Sequence, residues 1–282
     1  MGATATSTQI KFQYGSPLAY HLLEGVMSQS GGPGGAKSVS DITAINATVN
    51  LDRDGRPTYN AIKTSGSWDP VDPSHVAVLA AIQSDAPAAG LCEIGTTLGT
   101  TPGLQFSGYI DEWGLAIPNE GPCILTTGIT ITTAITKAAN SSVTPNAVYD
   151  PETGQGAKLK LLIGSVYTQI AGVENIAYTG MMRNAVPATP LDVMAPATLP
   201  GTRTHGTMSF DLLYDTSDAQ HVLLEAAYAA IDQADGFQVL LTSTKTITCI
   251  ATVNGWEVQV GAKNAPNRVR VSTRLTSNVV VA

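Results

Sequence analysis

Two stretches of the chain, DPVDPSHVAVLAAIQSDAPAAGLCEIGT at residues 69–96 and DTSDAQHVLLEAAYAAIDQADGFQVLLT at residues 215–242, decide how the rest is read. Set against each other at an offset of 146, they match without a gap at nine of 28 positions. The matches are Asp69/Asp215, Asp72/Asp218, His75/His221, Val76/Val222, Ala80/Ala226, Ala81/Ala227, Ala88/Ala234, Gly90/Gly236 and Thr96/Thr242. The ordered Asp, Asp, His and Gly matches carry the weight, because alanines and valines recur by chance. With small gaps Trp113 meets Trp256, and the run Ile129, Ile131 meets Val269, Val271. A repeat of this length predicts two units of one architecture.

Each stretch contains a helix with its start written in the sequence. Asp72 is placed to cap the first, with Pro73 at the opening helical position, where its missing N–H costs nothing. Val78, Ala81 and Ile82 form its apolar face. Asp218 caps the second, and Leu224, Ala227, Tyr228 and Ile231 recur at i, i+3, i+4 and i+7 until Gly236 ends the run. The surrounding sequence alternates with period two. Met208, Phe210, Leu212 and Tyr214 read as one face of a strand, and strands are expected at 18–26, 39–49, 91–94, 105–110, 129–136, 191–195, 204–214, 237–242, 247–253 and 268–275. The expected fold is mainly β with one helix per domain, each domain a β-sandwich or partly closed barrel. The boundaries are 1–137 for the first domain, 138–156 for a linker rich in Asn, Ser, Thr, Pro and Gly, and 157–282 for the second. Gln29–Lys37, with its Gly-Gly-Pro-Gly-Gly, and Asp52–Tyr59 read as long loops.

Composition points away from several classes of function. Charged residues are 13% of the chain against roughly 25% in an ordinary soluble domain, so much of the surface is expected to be covered by partners, including further copies. The net charge is −7, with no run of five like charges, which argues against tight neutralisation of phosphates. Cys92, Cys123 and Cys249 have no CxxC spacing and read as free, buried thiols of a reducing cytoplasm. Met1–Gln9 lacks the form of a signal peptide, and no window approaches the roughly 20 apolar residues of a spanning helix. The sequons at Asn46 and Asn140 are then chance matches.

Three arrangements imitate chemistry. Gly31–Ser38 nearly spells a phosphate loop, but Ala36 replaces a required glycine and a strand, not a helix, follows Ser38. Asp72/His75 and Asp218/His221 have the spacing of an acid–base pair, yet each Asp is needed at a helix start and no third ligand or nucleophile accompanies both copies. Asp111-Glu112 beside Trp113 looks like a glycosidase pair with a sugar platform, although adjacent strand residues point to opposite faces and the second copy has Asn254-Gly255-Trp256. No catalytic residue, cofactor site or metal site is therefore expected.

The chain resembles the tail tube family of long-tailed bacteriophages, whose fold is shared with contractile-tail and secretion-system tubes. In the first half the resemblance rests on Val39-Ser-Asp-Ile-Thr43, Asp52-Arg-Asp-Gly-Arg56, Trp68-Asp-Pro-Val-Asp-Pro-Ser-His75, Phe106-Ser-Gly-Tyr-Ile110 and the Thr-Ile-Thr ending near Ile131. In the second it rests on Ile170-Ala-Gly-Val-Glu174, Tyr214-Asp-Thr-Ser-Asp-Ala-Gln-His221 and Val253-Asn-Gly-Trp256. It implies a non-enzymatic virion protein, assembled in the host cytoplasm, that polymerises into the tail tube through which DNA is ejected. The implied partners are the protein itself, the tape measure protein, the tail terminator and the distal tail or baseplate proteins, with phage DNA passing through without sequence-specific contacts. Most relatives have one tube domain and form hexamers, so a fused pair implies homotrimeric, pseudo-hexameric rings. Gly31, Gly32, Gly34, Gly35, Asp52, Arg53, Asp54 and Arg56 are the candidates for stacking one ring on the next. Other readings are a baseplate or tail-terminator ring component, or a two-domain carbohydrate-binding β protein using Trp113 and Trp256.

Overall fold

The computed structural model describes residues 8–14, 19–23, 25–30, 35–41, 52–84, 90–96, 103–133, 135–138, 150–188, 198–230, 233–259 and 267–282. The first half contains β1 (Thr8–Tyr14), β2 (Ala19–Leu22), β3 (Val26–Ser30), β4 (Gly35–Asp41), β5 (Asp52–Tyr59), β6 (Ile62–Ser67), α1 (Pro73–Gln83), β7 (Gly90–Thr96), β8 (Gly103–Ile117), β9 (Ile124–Ile131) and β10 (Thr136–Ala138). The second contains β11 (Lys158–Ile163), β12 (Val166–Gln169), β13 (Val173–Pro187), β14 (Thr198–Arg203), β15 (Thr207–Leu213), α2 (Ala219–Ala229), β16 (Ala234–Leu240), β17 (Thr246–Gln259), β18 (Arg268–Leu275) and β19 (Val280–Val281). The protein is mainly β, as its period-two patterning predicts.

All pairings are antiparallel. In the first half the hydrogen-bonded order is β2-β1-β7-β8-β9-β6-β3, with β10 also on β8. In the second it is β12-β11-β16-β17-β18-β15-β13, with β19 on β17. The two orders correspond strand by strand. The halves are not beads on a string: β13 also pairs with the C-terminal part of β8, from Ile176 opposite Ile117 to Met182 opposite Glu112. Among the described residues one 17-stranded sheet that does not close thus runs through both halves, and their buried side chains form one cluster.

Each helix start is built as its sequence predicts. The Asp72 carboxylate accepts from the Ser74 and His75 amides at 2.7 and 3.2 Å; Asp218 accepts from Gln220 and His221 at 2.8 and 3.2 Å. These bonds satisfy amides that a helix leaves without partners. Asp72→Ala and Asp218→Ala are each expected to cost about 0.5–2 kcal/mol, the usual range for a lost cap. Asp72 should lie at the upper end, because it is buried and also accepts from the Ser74 hydroxyl. Urea denaturation of the two variants checks the order.

Several expectations are corrected. The helix faces differ: Leu79 is buried with Val78 and Ile82 while Ala81 is only half-buried, and in α2 Leu224 and Ala227 are buried but Tyr228 is exposed. Ala230 caps α2 in an extended conformation, so Gly236 does not end the helix; it lies in β16, and Ile231 falls outside the described residues. The gapless offset also slips by one after the helices. Cys92 stands opposite Phe106 and Phe237 opposite Cys249, so Cys92 corresponds to Phe237, not Gln238, when the two Trp-bearing strands are matched. The strand expected at 191–195 lies outside the described residues, as does 42–49 of the strand expected from Val39. The two expected loops contain strands: Gln29 and Ser30 belong to β3, Gly35–Lys37 to β4, and Asp52–Tyr59 is β5. β4 and β5 form a two-stranded ribbon outside the main sheet, with Lys37 opposite Pro57 and a bulge before Val39. Turn-forming Asp, Gly and Pro are tolerated there because such a ribbon has open edges and few ladder bonds to lose. Of the expected linker, 139–149 lies outside the described residues, whereas Glu152 is buried and bonded. Its amide donates to Trp68 O and its carbonyl accepts from the Cys123 amide, both at 2.8 Å.

Candidate functional site

Period-two alternation gives the sheet two unlike faces. On one, Ile62, Trp113, Leu115, Leu125, Tyr178, Phe210, Leu212, Val269 and Val271 are buried in the core shared with the helices. On the other stand Lys63, Glu112, Gly114, Ala116, Thr126, Ala177, Ser209, Asp211, Arg268 and Arg270. Three ion pairs cross this polar face: Lys63 Nζ to Glu112 Oε2 at 2.6 Å, Arg268 Nη2 to Glu174 Oε2 at 3.1 Å, and Arg270 Nε to Asp211 Oδ1 at 3.2 Å. Their cations are half-exposed, so each pair contributes little to stability, roughly 0–1 kcal/mol. Each nonetheless cancels a positive charge where it stands. Along the β8–β13 seam the side chains are small, leaving a shallow groove of about 250 Å³ bordered by Ala116, Ala177, Ser209, Asp211 and Arg270.

The arrangements that imitated chemistry are resolved by this geometry. Lys37 and Ser38 lie within β4, so no helix start follows the glycines to supply amides for a phosphate. His75 Nδ1 accepts from the Asp69 amide at 3.0 Å, and His221 Nδ1 from the Asp215 amide at 3.0 Å. The His221 Nε2–H donates to Ala171 O at 2.9 Å, so both ring nitrogens are spent on backbone. Among the described residues no cluster of three His, Cys, Asp or Glu has the form of a metal site.

Asp111 and Glu112 behave differently from the expectation of opposite faces. A bulge between Ile110 and Glu112 makes Asp111 an extra residue opposite β9. Both acids crowd Gly128, where an added Cβ would clash with Asp111 Oδ1 and meet Glu112 Cβ at 2.8 Å. Glycine is required there by this approach. Asp111 accepts from the Thr130 hydroxyl, and burial pushes its carboxyl above the usual range. Hydrogen bonding to Glu112 raises Lys63 in turn. Trp113 is buried in the core beside Tyr178, ring centroids 6.3 Å apart, and cannot serve as a sugar platform. The sequence-level pairing of Trp113 and Trp256 as stacking surfaces therefore fails at its first member. Trp256 is half-buried and meets Tyr214 edge-on at 5.4 Å.

Cys92, Cys123 and Cys249 are buried thiols, none in a disulfide; burial pushes Cys92 and Cys123 up to about 12 and Cys249 to about 11. Such thiols are poor nucleophiles near neutral pH. Among the described residues no helix is long and apolar enough to cross a membrane.

Of the stacking candidates, Gly31, Gly32 and Gly34 lie outside the described residues, whereas Gly35 and Asp52, Arg53, Asp54 and Arg56 share the β4–β5 ribbon. Sequence reasoning missed the junction between halves. Besides the β8–β13 seam it contains Arg183, which donates to Ile82 O, Ser84 O and Gly201 O, and Arg203, which donates to Gln83 O and Asn278 Oδ1. Two guanidinium groups thus take up the open carbonyls at the end of α1, where cations are favoured. Both strands of the seam are long, β8 and β13 each running 15 residues.

No protein-family model matches the chain, and no curated protein matches it.

Proposed function

We propose that the chain is a structural ring-forming protein of the phage tail tube type, its two halves being tandem copies of one tube unit. The observation that carries this reading is the junction. The strand orders of the halves correspond one to one, and one half continues the other's sheet through β8 and β13. A unit that extends its neighbour's sheet within a chain is suited to doing the same between chains, which removes open edges. Three chains then supply six units around a channel. The polar face is assigned to the lumen, since three of its cations, Lys63, Arg268 and Arg270, each face a carboxylate, which lowers the positive charge offered to passing DNA. On this reading the protein belongs to the virion, its rings stack into a tube, and tape measure, terminator and distal tail proteins meet the tube. Electron cryomicroscopy of the purified protein tests it. Three-chain rings or tubes with pseudo-sixfold units are expected, whereas six chains per ring or an open filament would rule the trimeric arrangement out.

A further inference from the structure

Matching the halves by their pairings exposes two open edges. Gly25 and Gly172 both have positive φ, 66° and 64°, and each carbonyl accepts from the strand beside it, at Ser67 N and Leu213 N. β3 therefore corresponds to the start of β13, with Val26 opposite Gly66 where Val173 is opposite Leu212. β8 and β17 correspond through the same bulge, Ile110/Glu112 and Val253/Gly255, which sets Trp113 against Trp256 and Leu115 against Val258. In the first half the C-terminal part of β8 is paired on both sides, by β9 and β13. In the second, residues 255–259 of β17 pair only with β18, and β3 pairs only with β6, among the described residues.

Burial shows the same asymmetry. Leu115 is 2% exposed beneath β13, but its counterpart Val258 is 55% exposed. Ile82, near the clamp of Arg183 and Arg203, is fully buried, while Tyr228, at the same position of α2, is 45% exposed. Met27 on β3 is 71% exposed. The β4–β5 ribbon repeats the register of β13–β14: Lys37 opposite Pro57 and then Val39 opposite Asp54, against Arg183 opposite Arg203 and then Ala185 opposite Pro200. A cation, Lys37, stands at the register position of Arg183.

We infer that β17 residues 255–259 pair antiparallel with β3 of a second copy of this chain, whose β4–β5 ribbon lies over the end of α2, reproducing between chains the β8–β13 junction within each chain. The register follows from Ala177 opposite Ala116: Ser30 of one copy stands opposite Gln259 of the other. The contact is head-to-tail, so each chain keeps one donor and one acceptor edge and the series either closes or extends. It also places Asp52–Arg56 against a neighbour in the same ring, not between rings. This inference rests on the ring-forming reading but names the surface and its register.

The test mixes two single variants, Ser30→Cys and Gln259→Cys, under mild oxidation; Cβ atoms of directly opposed strand residues lie near disulfide reach. A covalent dimer is expected, while Ser30→Cys with Val258→Cys, one position out of register, gives none. Ala116→Cys with Ala177→Cys in one chain is the positive control for reach, and the buried native thiols should not compete. Rings seen by microscopy without the Ser30–Gln259 dimer overturn the edge assignment and leave the ring-forming reading standing. Crosslinked ladders without closed rings support the edge and remove the closed ring. Monomers at every concentration, with no crosslink, overturn both. Lys37→Glu reverses the charge at the ribbon position that matches Arg183 in register and is expected to weaken association by about tenfold or more, whereas Lys37→Arg leaves it unchanged. Unchanged association of Lys37→Glu would remove the ribbon from the contact.

Discussion

Trp113→Ala is expected to destabilise the fold by about 3–5 kcal/mol, the usual range for deleting a fully buried tryptophan. Trp113 stands on β8 opposite Met181 of β13, with Tyr178 beside it, so the cavity would open where the two halves share one sheet. Packing cannot collapse easily there, because β8 is held by β9 on one side and β13 on the other. Among the described residues the buried indole N–H has no acceptor, and removing it relieves part of the loss. Trp256→Ala, at the corresponding position of the second half, should cost much less, since Trp256 is half-buried in the free chain. Guanidinium denaturation of both variants checks the contrast. Equal losses would show that the two positions are packed alike and that β17 lacks no neighbour.

Ala227→Asp is the second large effect. Ala227 is buried on α2, which packs on β17, so the new carboxylate would be taken out of water. Breaking such burial costs several kcal/mol. The sign with pH follows from linkage. Burial raises the folded-state pKa of the new acid above its unfolded value of about 3.9, so the variant's deficit is least below that value and grows as pH rises towards the folded pKa. Thermal unfolding of variant and parent from pH 4 to 8 should diverge in that direction. Ala81→Asp, at the aligned position of α1, should be milder because Ala81 is only half-buried. Equal losses at the two sites would mean that their burial does not set the cost.

The local features were written in the sequence because their causes lie within a few residues. Asp72 and Asp218 precede helices whose amides they satisfy, Pro73 sits where a missing N–H is harmless, and the alternation of Met208, Phe210 and Leu212 marks one strand face. The same logic located both helices and pointed to hydrogen-bonded rings at His75 and His221. It failed where chain-local signals conflict with pairing. Asp-Arg-Asp-Gly-Arg at 52–56 has turn chemistry, yet partnership with β4 makes it a strand. Tyr228 has the right spacing for a buried face, yet it is 45% exposed.

By itself the sequence determined the mainly antiparallel β class, the two capped helices and the presence of two similarly patterned halves, since caps and two-residue periodicity act over short separations. Only the tertiary structure decided that the halves share one sheet, that Trp113 lies inside and Val258 outside, and that Arg183 and Arg203 close the end of α1. Those facts depend on which strand edges meet across 59 or more positions of chain (Ile117 to Ile176 at the nearest), and backbone hydrogen bonds between strands carry no residue-specific signature in the sequence of either partner.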